Sequence, residues 1–147
     1  MRDDFDIHEW VKKVEEAKPR MDAMVKCLDD LTGVRVDPGD PMEAGALPYV
    51  ITMFGEDVTV TVRMSLMDWQ TDSDVVITNM TTFPLNERRK GFGRRAVMTL
   101  ISWARAHNLK QVRATQVHSS NEGFWVKCGF VKNNPPNPCN DFVLNLK

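Results

Sequence analysis

Between positions 74 and 117 the chain reads as strand, loop, helix, strand, and no other stretch constrains the fold as much. Asp74 to Phe83 carries the run Val75-Val76-Ile77, which lacks strict alternation, as a strand covered on both faces does. Ala96, Val97, Leu100, Ile101 and Ala104 then trace one apolar helical face ending near Asn108. Gln111 to Val117 reads as the next strand. Two strands joined through a helix predict a right-handed crossover and a parallel pair, because parallel neighbours need a long connection.

The flanking segments add antiparallel material. Tyr49 to Phe54 is β-branched and aromatic; after the turn Gly55-Glu56-Asp57, residues Val58, Val60, Val62 and Met64 alternate with Thr59, Thr61, Arg63 and Ser65, the mark of a half-buried hairpin partner. Met67 to Ser73 is a connector. Downstream, Asn121 to Cys128 reads as a short helix, Phe130 to Lys132 as a strand, Asn133 to Asp141 as a turn-rich loop and Phe142 to Leu146 as a last strand. At the amino-terminal end Trp10, Val11, Val14 and Ala17 recur at helical spacing behind an aspartate cap at Asp6. Pro19 is expected to end that helix. A second one follows, with Met21, Met24, Val25, Leu28 and Leu31 on one stripe and Gly33 as its stop. Val34 to Pro48 is rich in Pro and Gly and reads as a short strand or loop and then a connector. The class expected is α+β, a mixed sheet flanked by helices, with residues 1–147 forming a single domain.

Composition enters as a filter. A chain of 147 residues, 42% hydrophobic and 27% charged, lies in the ordinary globular range, so disorder and fibrous classes are excluded. Its 19 basic and 20 acidic residues leave a net charge of -1, which offers nucleic acid or an anionic membrane no global attraction. Any anionic partner must be met by a local patch. Cys27, Cys128 and Cys139 are odd in number and far apart, fitting neither a disulfide framework nor a zinc pattern. No metal is expected. The acidic start and the absence of a long apolar run predict a cytoplasmic protein, complete as given, with no membrane partner.

The local patch is the loop from Pro84 to Arg95, lying between a strand and an apolar-periodic helix. Arg88, Arg89, Lys90, Arg94 and Arg95 surround Gly91 and Gly93, with Glu87 the one acid. The first four N–H groups of a helix have no internal partner and carry the positive end of the peptide dipoles, so an anion suits them. Glycine admits a phosphate oxygen to the backbone where a Cβ would block it. A charge-assisted hydrogen bond contributes about 1.5–3 kcal/mol and micromolar affinity needs about 8 kcal/mol, so four donors supply most of a diphosphate's grip. Association costs then require further contacts along the ligand. Alternatively, the glycines cap a turn and the cations stand in water. The triphosphate-binding pattern GxxxxGK[ST] is absent. Gly91 to Ala96 satisfies GxGxxA, but Arg113 to Gln116 lacks the acidic residue a dinucleotide fold carries about 20 positions on.

These residues resemble the GNAT superfamily of N-acetyltransferases, whose signature [Q/R]-x-x-G-x-[G/A] is matched by Arg88-Arg89-Lys90-Gly91-Phe92-Gly93. Trp125-Val126-Lys127-Cys128-Gly129-Phe130 is similar to the family's aromatic, charged, Gly-Phe segment, and the likeness is best from Val75 to Phe130. The resemblance implies a mixed, mostly antiparallel sheet splayed between its fourth and fifth strands, with acetyl-CoA wedged in the opening as cosubstrate. By the same analogy Phe83 and Leu85 offer backbone groups to the pantetheine arm. Arg88, Arg89, Lys90, Gly91, Phe92, Gly93 and Arg94 hold the pyrophosphate, and Asn121 and Trp125 border the cofactor. An amine acceptor, of a small molecule or a protein, attacks the thioester directly. The family builds its acceptor pocket from the first two helices and the loop before the last strand, here Asn133 to Asp141, which carries no diagnostic chemistry.

Three features depart from that pattern. Trp125 stands where the family usually carries a tyrosine acting as general acid, and indole cannot deliver that proton. Tyr49, the one tyrosine of the chain, lies far from the motif in sequence. His118 stands where an asparagine is frequent, and no strand is evident before the first helix. His118 and Cys128 carry side chains able to hand over a proton, yet a histidine at a strand end is commonly a surface residue and a cysteine in a short helix commonly core. No catalytic residue is assigned. Three readings stay open: an acetyl-CoA-dependent N-acetyltransferase, a catalytically inactive binding or assembly module of the same fold, and a nucleic-acid contact at Arg88 to Arg95, which the net charge argues against. Oligomeric state, a homodimer included, is open too.

Overall fold

The first 23-residue helix, α1 (Ile7–Asp29), begins where the sequence asks it to: Asp6 Oδ1 accepts the N–H groups of His8 at 2.9 Å and Glu9 at 3.3 Å. It does not end at Pro19. That proline lies inside the helix, and the two helices expected from the sequence are one. Proline removes one hydrogen bond and costs about 3 kcal/mol in a helix interior, but the stripe Val14, Met21, Met24, Val25 and Leu28 is buried on both sides of it. Continuous packing outweighs the break. Leu31 falls beyond the helix and is exposed.

A computed structural model describes residues 6–39, 47–54, 57–67, 73–84, 91–133 and 140–146. After α1 the elements run β1 (Val34–Pro38), β2 (Leu47–Met53), β3 (Thr59–Leu66), β4 (Val75–Phe83), α2 (Phe92–Ala106), β5 (Gln111–Ala114), a 3-10 turn (Ser119–Asn121), α3 (Glu122–Lys127), β6 (Val131–Lys132) and β7 (Phe142–Asn145). The seven strands form one open sheet in the order β1-β2-β3-β4-β5-β7-β6. Only β4 and β5 are parallel; the other pairs are antiparallel. The expected α+β class and the expected parallel pair are both present. Among the described residues the sheet's first strand follows α1.

One sheet face, from Ile51 and Val62 through Ile77 to Ala114 and Phe142, packs with the buried stripes of α1 and α2 in a continuous core that also takes in Trp125 and Phe130 of the α3 region. Trp103 on α2 ties the two long helices together, its Nε1–H donating to the Met24 carbonyl at 2.8 Å. The five positions read as the apolar face of α2, Ala96, Val97, Leu100, Ile101 and Ala104, are all buried. In β3 the alternation is as expected, with Val60, Val62, Met64 and Leu66 inward and Arg63 exposed. Among the described residues no helix is long and apolar enough to cross a membrane.

Candidate active-site cleft

Strand β4 was expected to be covered throughout, and it is not. Val75, Val76 and Ile77 are buried, whereas Thr78, Asn79, Thr81 and Phe83 are exposed. Two causes act together. The register with β3 shifts between Arg63 and Met64, a bulge at which Thr78 Oγ1 donates to the Arg63 carbonyl at 3.3 Å. On the other side β5 accompanies β4 only over Val75 to Ile77, and the last rung is Thr115 N–H to the Ile77 carbonyl at 3.1 Å. The chain then turns towards β7. Gln116, with φ +51°, donates its N–H to Asp141 Oδ1 at 3.1 Å. Val117 is clamped by Asn140: its N–H donates to the Asn140 carbonyl at 2.8 Å, and its carbonyl accepts from Asn140 Nδ2 at 2.7 Å. The sheet is thus splayed between its fourth and fifth strands, at the place the resemblance implied.

The splay opens into a cleft of about 860 Å³ walled by the end of β4, the segment after β5, the start of α2 and the cleft-facing side of α3. Gly91 caps α2 with φ +90° and no side-chain hydrogen bond, and the first turn holds no acidic residue. The first intrahelical bond runs from Arg95 N–H to the Gly91 carbonyl at 3.0 Å, so the N–H groups of Phe92, Gly93 and Arg94 are left to the cleft end of the helix. The two glycines serve differently. A Cβ on Gly91 would meet nothing within 4 Å, so the left-handed φ alone demands glycine there. A Cβ on Gly93 would come to 3.4 Å from Met80 Cε and Phe124 Cε1, so its bareness lets α2 settle against β4 and α3.

Of the residues singled out from the sequence, Gly91, Gly93, Arg94, Asn121 and Trp125 come together around this cleft. Phe92 is engaged elsewhere, edge-on to Phe54 at 5.7 Å, with the Arg95 guanidinium 4.8 Å above the Phe54 ring. Phe83 ends β4 with 67% of its surface exposed and does not line the cleft. Leu85, Arg88, Arg89 and Lys90 lie outside the described residues. Sequence reasoning passed over Thr78, Asn79, Gln116, Ser120 and Lys127, which also line the cleft. The switch from Val-Val-Ile to Thr-Asn inside one strand was the available signal.

The groups able to move protons are few. Trp125 is 7% exposed, held edge-on between Phe124 at 5.1 Å and Phe130 at 5.0 Å, and it presents a ring rather than an acid. Tyr49 is on β2 away from the cleft, its hydroxyl 3.5 Å from Asp22 Oδ1. Cys128 lines the cleft; burial pushes its thiol up, and the Arg94 charge pulls it the other way. His118 lines it too, its Nδ1 accepting the Ser120 N–H at 3.2 Å and lying 2.8 Å from Ser120 Oγ. Among the described lining residues there is no carboxylate, while Arg94 and Lys127 bring positive charge. No three His, Cys, Asp or Glu among the described residues stand together as a metal site requires.

Comparison with known proteins gives one family match, and a set of solved structures of similar fold. The acetyltransferase (GNAT) family profile fits residues 67–130, the stretch from the end of β3 through Phe130. No curated protein matches. Among solved structures, a domain from Methanocaldococcus jannaschii superposes with a TM-score of 0.52 at 15% identity, covering 71% of this chain and 69% of that one. The ribosomal-protein-S18-alanine N-acetyltransferase from Escherichia coli gives 0.52 at 13% identity over 84% and 88% of the two chains. Ard1 from Thermoplasma volcanium gives 0.50 at 16% identity over 78% and 98%. At such identities the likeness is one of fold. Residues 67–130 are thus similar to the acetyltransferase (GNAT) family, and the fold of the described residues is like that of acetyltransferases in it.

Proposed function

We propose that this chain, acting as a single domain, is an N-acetyltransferase that takes the acetyl group of acetyl-CoA and passes it to an amine. The observation that carries the reading is the bare start of α2: three main-chain N–H groups at a glycine-capped helix end, open to a splayed sheet, with no acidic side chain in that turn. The residues fit the cosubstrate. Gly91 leaves room at its α-carbon, Arg94 and Lys127 offset anionic charge, and a lining without described carboxylates repels no phosphate. The acetyl thioester, when bound, supplies an activated acyl carbon for the amine.

This chain's own residues bind and orient. The α2 N–H groups grip the diphosphate, and the free edge of β4 beyond Ile77 offers main-chain groups to the extended arm. Phe124, Trp125 and Met80 make the apolar flank that excludes water from the reacting end. An N–H on that free strand edge is suited to steady a developing oxyanion.

A binding-only reading has one observation in its favour: the ring at position 125 is sealed between two phenyl rings and can give no proton. Calorimetric titration with coenzyme A, paired with thiol release from acetyl-CoA over a broad amine panel, separates the two. Binding with turnover is the expected result, whereas binding with no turnover over the panel selects the inactive module. Gly91→Val should weaken coenzyme A more than tenfold and Arg89→Ala only a few-fold, because backbone rather than side chain makes the cradle. Equal affinity of Gly91→Val and the parent would defeat the model.

A further inference from the structure

With Trp125 unable to act, the departing sulfur needs another proton source, and we infer that His118 is that donor, through Nε2. The inference rests on the acetyltransferase reading above. His118 lies four positions beyond Ala114, the last residue of β5, on the wall of the cleft. Its ring is fixed by its own turn. Nδ1 caps the 3-10 segment by accepting the Ser120 N–H, and a ring nitrogen that accepts from a main-chain N–H holds no proton of its own. The neutral ring therefore carries its hydrogen on Nε2, the nitrogen turned away from the turn. Ser120 Oγ, 2.8 Å from Nδ1, is a hydroxyl that can donate to the bare nitrogen or accept from the protonated one. In the imidazolium form Nδ1–H donates to Ser120 Oγ and no longer accepts the Ser120 N–H.

The charged and titratable neighbours are consistent with this role. Arg94 of α2 and Lys127 and Cys128 of the α3 end share the cleft wall. Glu122 of α3 is engaged by Asn140 Nδ2 at 2.8 Å. Among the described residues the cleft's lining has no carboxyl group to act in place of His118. Cys128 is the rival, and it is 5% exposed at the base of the cleft. In the step itself the amine nitrogen bonds to the acetyl carbon as the carbon–sulfur bond breaks. Sulfur leaves with the electron pair and takes the Nε2 proton of the imidazolium. The proton given up by the amine nitrogen recharges the ring through solvent.

His118→Asn tests this, because asparagine is a good helix cap and can accept the Ser120 N–H, yet it has no atom at the reach of Nε2. Its melting temperature and coenzyme A affinity should stay close to the parent's, while kcat for thiol release falls about 100-fold or more, the usual span for a general acid. The alkaline limb of the parent's kcat profile should vanish in the variant. A long-range proton–nitrogen correlation spectrum of the ligand-free protein, assigned by the signals lost in His118→Asn, should show Nε2 protonated and Nδ1 bare. An unchanged kcat in His118→Asn, a loss found in Cys128→Ala instead, or a ring protonated at Nδ1 overturns the assignment. If the parent turns over and His118→Asn matches it, the histidine alone is wrong; if the parent binds coenzyme A and releases no thiol with any amine, the acetyltransferase reading falls and takes the histidine with it.

Discussion

Tyr49 and Asp22 join strand to helix, and the pairing sets a pH dependence. Burial first, then the Asp22 charge and its hydrogen bond, pushes the phenol from 10.0 up to about 12. The folded value lies above the unfolded one, so the fold favours the protonated ring. The stabilisation is complete below the unfolded value and is lost as pH rises through the window up to about 12. Tyr49→Phe has no such proton, so the difference in urea midpoint between parent and variant should narrow as pH rises from 10.0 towards about 12. A constant difference would exclude the coupling. At this scale the glycines were legible, since a GxG before an apolar helix has few other uses. The Tyr49–Asp22 contact was not: its partners are 27 residues apart, and nothing in either neighbourhood names the other.

Single elements were legible in proportion to how much of their hydrogen bonding is internal. The face of α2 could be read position by position, because helical periodicity needs no partner. Pro19 was misread because the packing that overrides it belongs to the sheet and α2. Since the proline removes a bond to the Glu15 carbonyl, Pro19→Ala should restore it and raise stability by about 1–3 kcal/mol, read from urea unfolding. A decrease would mean that α1 depends on the proline's shape. Half of β4 was overestimated for a related reason. Whether a strand keeps its neighbour is decided by the neighbour, and Gln116, Asn140 and Asp141 draw β5 away.

For the molecule as a whole, a buried polar link accompanies that departure. Arg113 on β5 and Asp141 before β7 are 8% and 4% exposed, their charges 3.0 Å apart, with Arg113 Nε also donating to Ser73 Oγ at 3.0 Å. Removing one member of a buried pair strands the other, at a cost of about 3–5 kcal/mol. Asp141→Ala should lose that much in chemical denaturation, a large share of the about 5–15 kcal/mol typical of a domain. The double change Arg113→Met with Asp141→Leu should lose clearly less; equal losses would show that shape rather than charge matters. The sequence displayed a lone arginine within a strand, and only the fold supplied its acid.

The shortness of the contact between β4 and β5 has a mechanical outcome. Three residues on each strand stitch β1 to β4 onto the β5-β7-β6 group, so the sheet is two stiff leaves sharing a brief spine. A guest that bonds to both leaves lengthens the spine by its own backbone-like arm. Its arrival would then be registered far from the point of contact, as slower amide exchange on either leaf at once.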